Sequence, residues 1–112
     1  MKDTNENFCM ILTTAGSEEE ARRLAEMLVE RRLAACVQIA PIHSVYRWQG
    51  QVYREAENLL LVKTISRLYA QVEAAIIENH SYAVQEVVQI PIARGLEEYL
   101  GWIGENTRDG VE

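Results

Sequence analysis

From Cys36 to Thr64 the chain strings together two long stretches of strand-forming residues with one short turn, Gln49-Gly50-Gln51, between them. Cys36 to Ala40 is apolar apart from Gln38, and β-branched and aromatic residues continue past Pro41 to Trp48, which predicts one long strand bent at the proline. Val52 onward returns through Tyr53 to a dense apolar strand at Asn58 to Thr64, so the two stretches predict a hairpin. It is much longer than a two-layer domain of this size requires. The far half, with Val45, Tyr46, Trp48, Val52 and Tyr53, has nothing to pair with inside one chain. Proteins normally cover such edges and aromatics with another chain, so an oligomer built through the hairpin is expected.

The flanking sequence supplies the rest of a domain. Phe8 to Leu12 is a short apolar run backed by Thr13, Thr14 and Gly16, which predicts a buried strand ending in a turn. Ser17-Glu18-Glu19-Glu20 has the capping-box form, in which the Ser17 hydroxyl accepts from the Glu20 amide and the Glu20 carboxylate reaches back to Ser17. Ala21, Leu24, Ala25 and Leu28 then lie on one stripe of a helix from about Glu18 to Arg32. Ser66 is read as the cap of a second helix, with Leu68, Val72, Ala75 and Ile76 on one face and an end near Asn79 or His80. Glu86 to Ile92 reads as the last core strand, whose Pro91 suits an edge or a strand end. Gly95 and Leu96 to Leu100 predict a short third helix through Ile103, and Thr107 to Glu112 a frayed tail. The order β-α-β-β-α-β plus a terminal helix predicts an α+β, ferredoxin-like sandwich with both crossover helices on one face of an antiparallel sheet. A single domain over 8–105 with flexible ends at 1–7 and 106–112 follows.

Composition narrows the function. A chain of 112 residues with 48% hydrophobic and 25% charged residues supports one core without disulfides or a structural metal. Its net charge of -6 opposes binding to nucleic acid and to anionic membranes. Arg22, Arg23, Arg31 and Arg32 alternate with glutamates along the first helix, as on a solvated face. The longest apolar run, Leu59 to Val62, is far short of the roughly 20 residues of a membrane span, and Met1 to Asn7 is polar and acidic, unlike a signal peptide. A cytoplasmic protein is expected, with Cys9 and Cys36 as buried, reduced thiols.

A family pattern then emerges. Leu33-Ala34-Ala35-Cys36-Val37, Tyr46, Trp48, Gly50, Lys63-Thr64, His80, Tyr82, Pro91-Ile92, Gly95 and Tyr99-Leu100-Gly101-Trp102-Ile103 occur in fixed order. This resembles the CutA family of divalent-cation tolerance proteins, and the resemblance runs from about Phe8 to Ile103. It implies a tight homotrimer whose hairpins wrap neighbouring subunits, similar in shape to the PII signalling proteins, and a link to metal-ion (copper) tolerance. The chain departs from the family at His80-Ser81-Tyr82-Ala83-Val84-Gln85-Glu86, where members usually carry His-Pro-Tyr-Glu-x-Pro-Glu, and at Thr13, where some carry cysteine. Without its prolines the loop is expected to be less rigid.

Two sets of residues carry candidate chemistry. His80 and Glu86, six residues apart across a turn, could converge on one ion, and the thiolate of Cys36 would complete a mixed site suited to copper(II), zinc or nickel. The structural alternative for His80 is a helix C-terminal cap. Lys63 ends an apolar strand and wants a partner such as Glu57 or Glu86. It reads either as a structural ion pair or as the anchor for an anionic small molecule in a cleft between subunits. Trp48 and Tyr82 would wall that cleft, and Lys63, Glu57, Trp48, Tyr82 and Glu86 match positions that recur in the family. Trp48 and Tyr46 read equally as hairpin packing at the trimer contact, and Tyr99 and Trp102 as core or interface anchors. No nucleotide loop, nucleophile elbow or paired-cysteine motif occurs, so neither catalysis nor a required cofactor is expected.

Overall fold

A computed structural model describes residues 7–108. Strand β1 is Phe8–Ala15, helix α1 Glu18–Glu30, β2 Cys36–Trp48 and β3 Gln51–Ile65. A single 3-10 turn, Ser66–Leu68, leads into α2, Tyr69–Asn79, which is followed by β4, Val87–Pro91, and α3, Glu97–Glu105. The sheet order is β2-β3-β1-β4, with every neighbouring pair antiparallel. This is the expected α+β, ferredoxin-like arrangement.

Register explains where the core sits. Cys9, Ile11, Thr13 and Ala15 alternate onto the face of β1 that carries α1 and α2, and their neighbours Leu60, Val62 and Thr64 on β3 are fully buried there too. Ala21, Leu24, Ala25 and Leu28 of α1 and Val72, Ala75 and Ile76 of α2 close this core, as their spacing predicts. On the opposite face Met10, Leu12, Leu59 and Leu61 remain half-buried, and Val88 and Ile90 of β4 are exposed. Helix α3 covers only one end of that face, where Ile103 is buried, Gly104 lies against Phe8 and the Tyr99 ring is 5.6 Å from Lys63 Nζ.

β3 has fifteen residues and β1 only eight, pairing from Phe8↔Ile65 to Ala15↔Asn58. Beyond Asn58 the hairpin continues as two strands alone, through Tyr46↔Tyr53 to Trp48↔Gln51. The projection stretches the molecule to 52 × 26 × 21 Å and its radius of gyration to 14.8 Å, where a compact chain of about 100 residues would have roughly 13 Å. The tip turns on Gln49 and Gly50, both in the left-handed region at φ 51° and 82°. Two such residues in succession match the right-handed twist of the strands.

Several boundaries differ from expectation for local reasons. α1 stops at Glu30 because Arg32 turns left-handed at φ 59°, and the amides of Leu33 and Ala34 fold back onto the Leu28 carbonyl. Ser66 does not cap α2: its amide donates to the Asn7 carbonyl, and the 3-10 turn makes the entry to the helix. The last strand is Val87–Pro91 rather than Glu86 to Ile92, and α3 runs on to Glu105. Thr107 and Arg108 are not frayed. Thr107 is buried with its hydroxyl donating to the Ile103 carbonyl, and the Arg108 amide donates to the Arg32 carbonyl. Of the flexible ends expected over 1–7 and 106–112, residues 1–6 and 109–112 lie outside the described residues.

Candidate functional site

Ser17 caps α1 as expected, accepting from the Glu20 amide at 3.1 Å. The Glu20 carboxylate does not return to Ser17. It accepts instead from the Ser81 amide at 2.9 Å and the Ser81 hydroxyl at 3.1 Å, which ties the first turn of α1 to the segment after α2. Burial opposes ionisation of Glu20, but the two Ser81 hydrogen bonds, with the Arg23 guanidinium nearby, outweigh it and hold the carboxyl below its ordinary range.

The His80 ring is fully buried beside this pair. The Tyr82 amide donates to Nδ1 at 3.0 Å, which leaves the proton on Nε2, and Nε2–H donates to the Thr14 carbonyl. Both nitrogens are therefore engaged, and the ring fixes the path of the loop across the end of β1. Tyr82 then lies over Gly16, where a Cβ would come within 3.2 Å of the phenol oxygen. Its hydroxyl donates to Glu57 Oε2 at 2.8 Å, while Ser44 donates to Oε1 of the same carboxylate at 2.7 Å. Burial and the Glu57 contact push the Tyr82 hydroxyl pKa up. Further out, Tyr46 donates to Glu55 at 2.7 Å, a bond that pushes its hydroxyl up to about 12, and stacks on Tyr53 with ring centroids 5.6 Å apart.

These side chains frame a pocket of ≈ 550 Å³ between the outer hairpin and the 81–86 loop. Its carboxylates are Glu55, Glu57 and Glu86 and its aromatic walls Tyr46, Trp48 and Tyr82; Thr14, Ser44, Val45, Ala83 and Val84 complete the lining. Four of the five residues expected at a cleft, Trp48, Glu57, Tyr82 and Glu86, thus meet in one place. Lys63 does not join them. It shares a strand face with Glu57, but six residues separate the two, about 20 Å of extended chain, and its ammonium group lies over Tyr99. The expected Lys63 ion pair with Glu57 or Glu86 is accordingly absent among the described residues.

The mixed metal site does not form within one chain either. Cys36 pairs with Lys63 at the far end of the sheet, His80 has no free ring nitrogen, and no three His, Cys, Asp or Glu side chains among the described residues are grouped to hold a metal ion. The residues present do not fit a chelated divalent cation. Glu20, Ser44, Tyr46 and Glu55 were not foreseen as site residues. For Ser44, Tyr46 and Trp48 on β2 and Tyr53, Glu55 and Glu57 on β3 the signal existed: period-two spacing puts all six on one face of the ribbon.

Comparison with known proteins agrees with the fold. Residues 9–106 match the family model described as CutA1 divalent ion tolerance protein. The divalent-cation tolerance protein CutA of Thermus thermophilus is 50% identical over 99 residues, covering 88% of this chain and 96% of the relative. The structure of CutA1 from Oryza sativa superposes with a TM-score of 0.91 at 38% identity, covering 96% of this chain and 99% of that one. The periplasmic divalent cation tolerance protein CutA from Archaeoglobus fulgidus gives 0.87 at 43% identity, covering 88% and 97%.

Proposed function

Because the chain belongs to the CutA1 divalent ion tolerance protein family, we propose that it serves in the response to divalent metal ions, copper among them, as a cytoplasmic homotrimer without catalytic activity. The observation that carries the assembly is the pair of surfaces left without partners among the described residues: the apolar sheet face around Met10, Leu12, Leu59 and Leu61, and the outer hairpin that continues it. The sheet ends in two unlike edges, β2 and β4. A contact joining one copy's β2 side to the next copy's β4 side is heterologous, and such contacts are satisfied by closing a ring. Three copies is the number that the family resemblance implies.

Three chains carry -18, three times the -6 of one, and such an assembly attracts cations without a dedicated centre. Copper(II) binding is accordingly weak, sensitive to salt and spread over exposed carboxylates. In the alternative reading, clefts between subunits bind an anionic metabolite, as in a PII-like sensor; the pocket of one chain has no basic lining residue and Lys63 lies over Tyr99, so that reading requires a neighbouring copy to bring the cation. No helix among the described residues is long and apolar enough to cross a membrane.

Calorimetry with copper(II) on the wild type, His80→Ala and Cys36→Ser tests the metal reading. Weak heats that disappear at high salt and are alike in all three proteins are expected. Tight one-to-one binding abolished by either substitution would overturn it.

A further inference from the structure

Helix α3 is fastened at its C-terminal end by two arginines that cap each other's helices. The Arg32 guanidinium, just past α1, donates to the Glu105 carbonyl at 2.9 Å and reaches the Thr107 carbonyl at 3.5 Å, where α3 has no intrahelical amide left to meet. Arg108 answers from the other side. Its amide donates to the Arg32 carbonyl at 2.8 Å, its Nε to the Arg31 carbonyl at 3.2 Å and its Nη1 to Gln71 Oε1 of α2 at 3.1 Å. Position 32 is strained in making this clasp: it lies in the left-handed region at φ 59°, where a helix usually ends in glycine. Glycine would remove the strain and lose the side chain that reaches α3.

Little else in the chain holds this helix. It has nine residues, fewer than the roughly 12–15 at which isolated helices become stable. Leu96 supplies no side-chain cap at its start, and Ile103 is its one buried residue. The Ile92 amide is tied to the Phe8 carbonyl, but residues 93–96, between that tie and α3, belong to no helix or strand.

From these features we infer that α3 is a latched lid. It opens as a unit about residues 93–96 while the sheet and the other two helices stay folded, and the Arg32–Arg108 clasp sets how often. The lid covers the end of the sheet face where Gly104 lies against Phe8 and Tyr99 lies under Lys63, so opening bares that end. The Arg32 bond to Glu105 and the Arg108 bond to Arg31 are made at the surface, where water competes for both partners and the latch closes reversibly. Elements with few buried contacts are the ones that open below the free energy of global unfolding. The clasp lies within one chain, and the inference does not depend on the trimer.

Hydrogen exchange of the full chain, resolved amide by amide, tests it, with wild type and variants compared at equal fold by circular dichroism and equal mass by light scattering. In the wild type the α3 amides should exchange roughly tenfold or more faster than those of β1 and β3, at a rate nearly independent of low denaturant, the mark of a small opening. Arg108→Gln should speed α3 exchange about five- to tenfold, the loss of one or two net hydrogen bonds, and leave β1 and β3 unchanged. Arg32→Gly separates side chain from backbone. It relieves the left-handed strain at the end of α1, yet α3 exchange should quicken by a similar factor because the guanidinium is gone. Exchange of α3 only together with the core, at the core's rate and denaturant dependence, would overturn the lid. Unchanged α3 exchange in Arg108→Gln, or unchanged or slower exchange in Arg32→Gly, would overturn the latch.

Discussion

The two halves of the long hairpin share a backbone geometry and little else. In the inner half, Cys36–Pro41 against Asn58–Lys63, the ribbon is flanked by β1 and roofed by helices, so alternate residues such as Leu60 and Val62 lose all contact with solvent. In the outer half, Ile42–Trp48 against Gln51–Glu57, the same alternation buries nothing completely, and Val45 is 68% exposed. A two-stranded ribbon is marginal in water on its own. The outer half is held by bonds that run along one face, Tyr46 to Glu55, Ser44 to Glu57 and Tyr82 to Glu57, and by the Tyr46–Tyr53 stack. What the contrast teaches is that the inner half carries the core of the chain, while the outer half keeps its strand pairing with almost no burial.

The largest effect should come from the inner half. Leu60→Ala removes a fully buried side chain and should cost about 2–5 kcal/mol, read as a fall in the midpoint of denaturant unfolding. Val45→Asp in the outer half should change the unfolding of a single chain by no more than about 0.5 kcal/mol, yet lower the mass of the assembly in light scattering. Equal losses from the two substitutions would erase the distinction.

Tyr82→Phe cuts the bond that joins the loop to the hairpin and should cost about 1 kcal/mol, with faster amide exchange in the outer half and none in the inner. The link at the other end of the loop depends on pH. The carboxyl of Glu20 is held below its ordinary 4.5, so the folded chain takes up this proton less readily than the unfolded one. The stability it contributes is complete above about pH 4.5 and is lost as the pH falls through the lowered value. Glu20→Gln should flatten that acid limb, and an unaltered pH–stability curve below 4.5 would remove Glu20 from the account. The smallest change belongs to the hairpin tip: Gln49→Asn suits the left-handed φ of 51° better and should raise the unfolding midpoint by a few tenths of a kcal/mol.

Much of this contrast was legible in the residues themselves. Alternation and helical spacing gave the strands, the stripes on α1 and α2 and the length of the hairpin, because those signals are local and repeat. Lys63 was given Glu57 or Glu86 as a partner; Glu57 does lie on its strand face, but a face says nothing of distance, and counting residues along the extended strand separates the two by about 20 Å. Cys36 was misplaced for the same reason, since it sits opposite Lys63. Glu20 was missed because the capping-box pattern gives its carboxylate a local partner. Tertiary packing supplied a closer pair of donors on Ser81, and nothing in the spacing of the first helix signals a contact sixty-one residues away.

In the proposed homotrimer, copies of the same chain cover the outer hairpin and the open sheet face. Sedimentation equilibrium on the full chain at low micromolar concentration tests it most directly. A single species near three times the 12.8 kDa of one chain is expected, and a species of 12.8 kDa would contradict it.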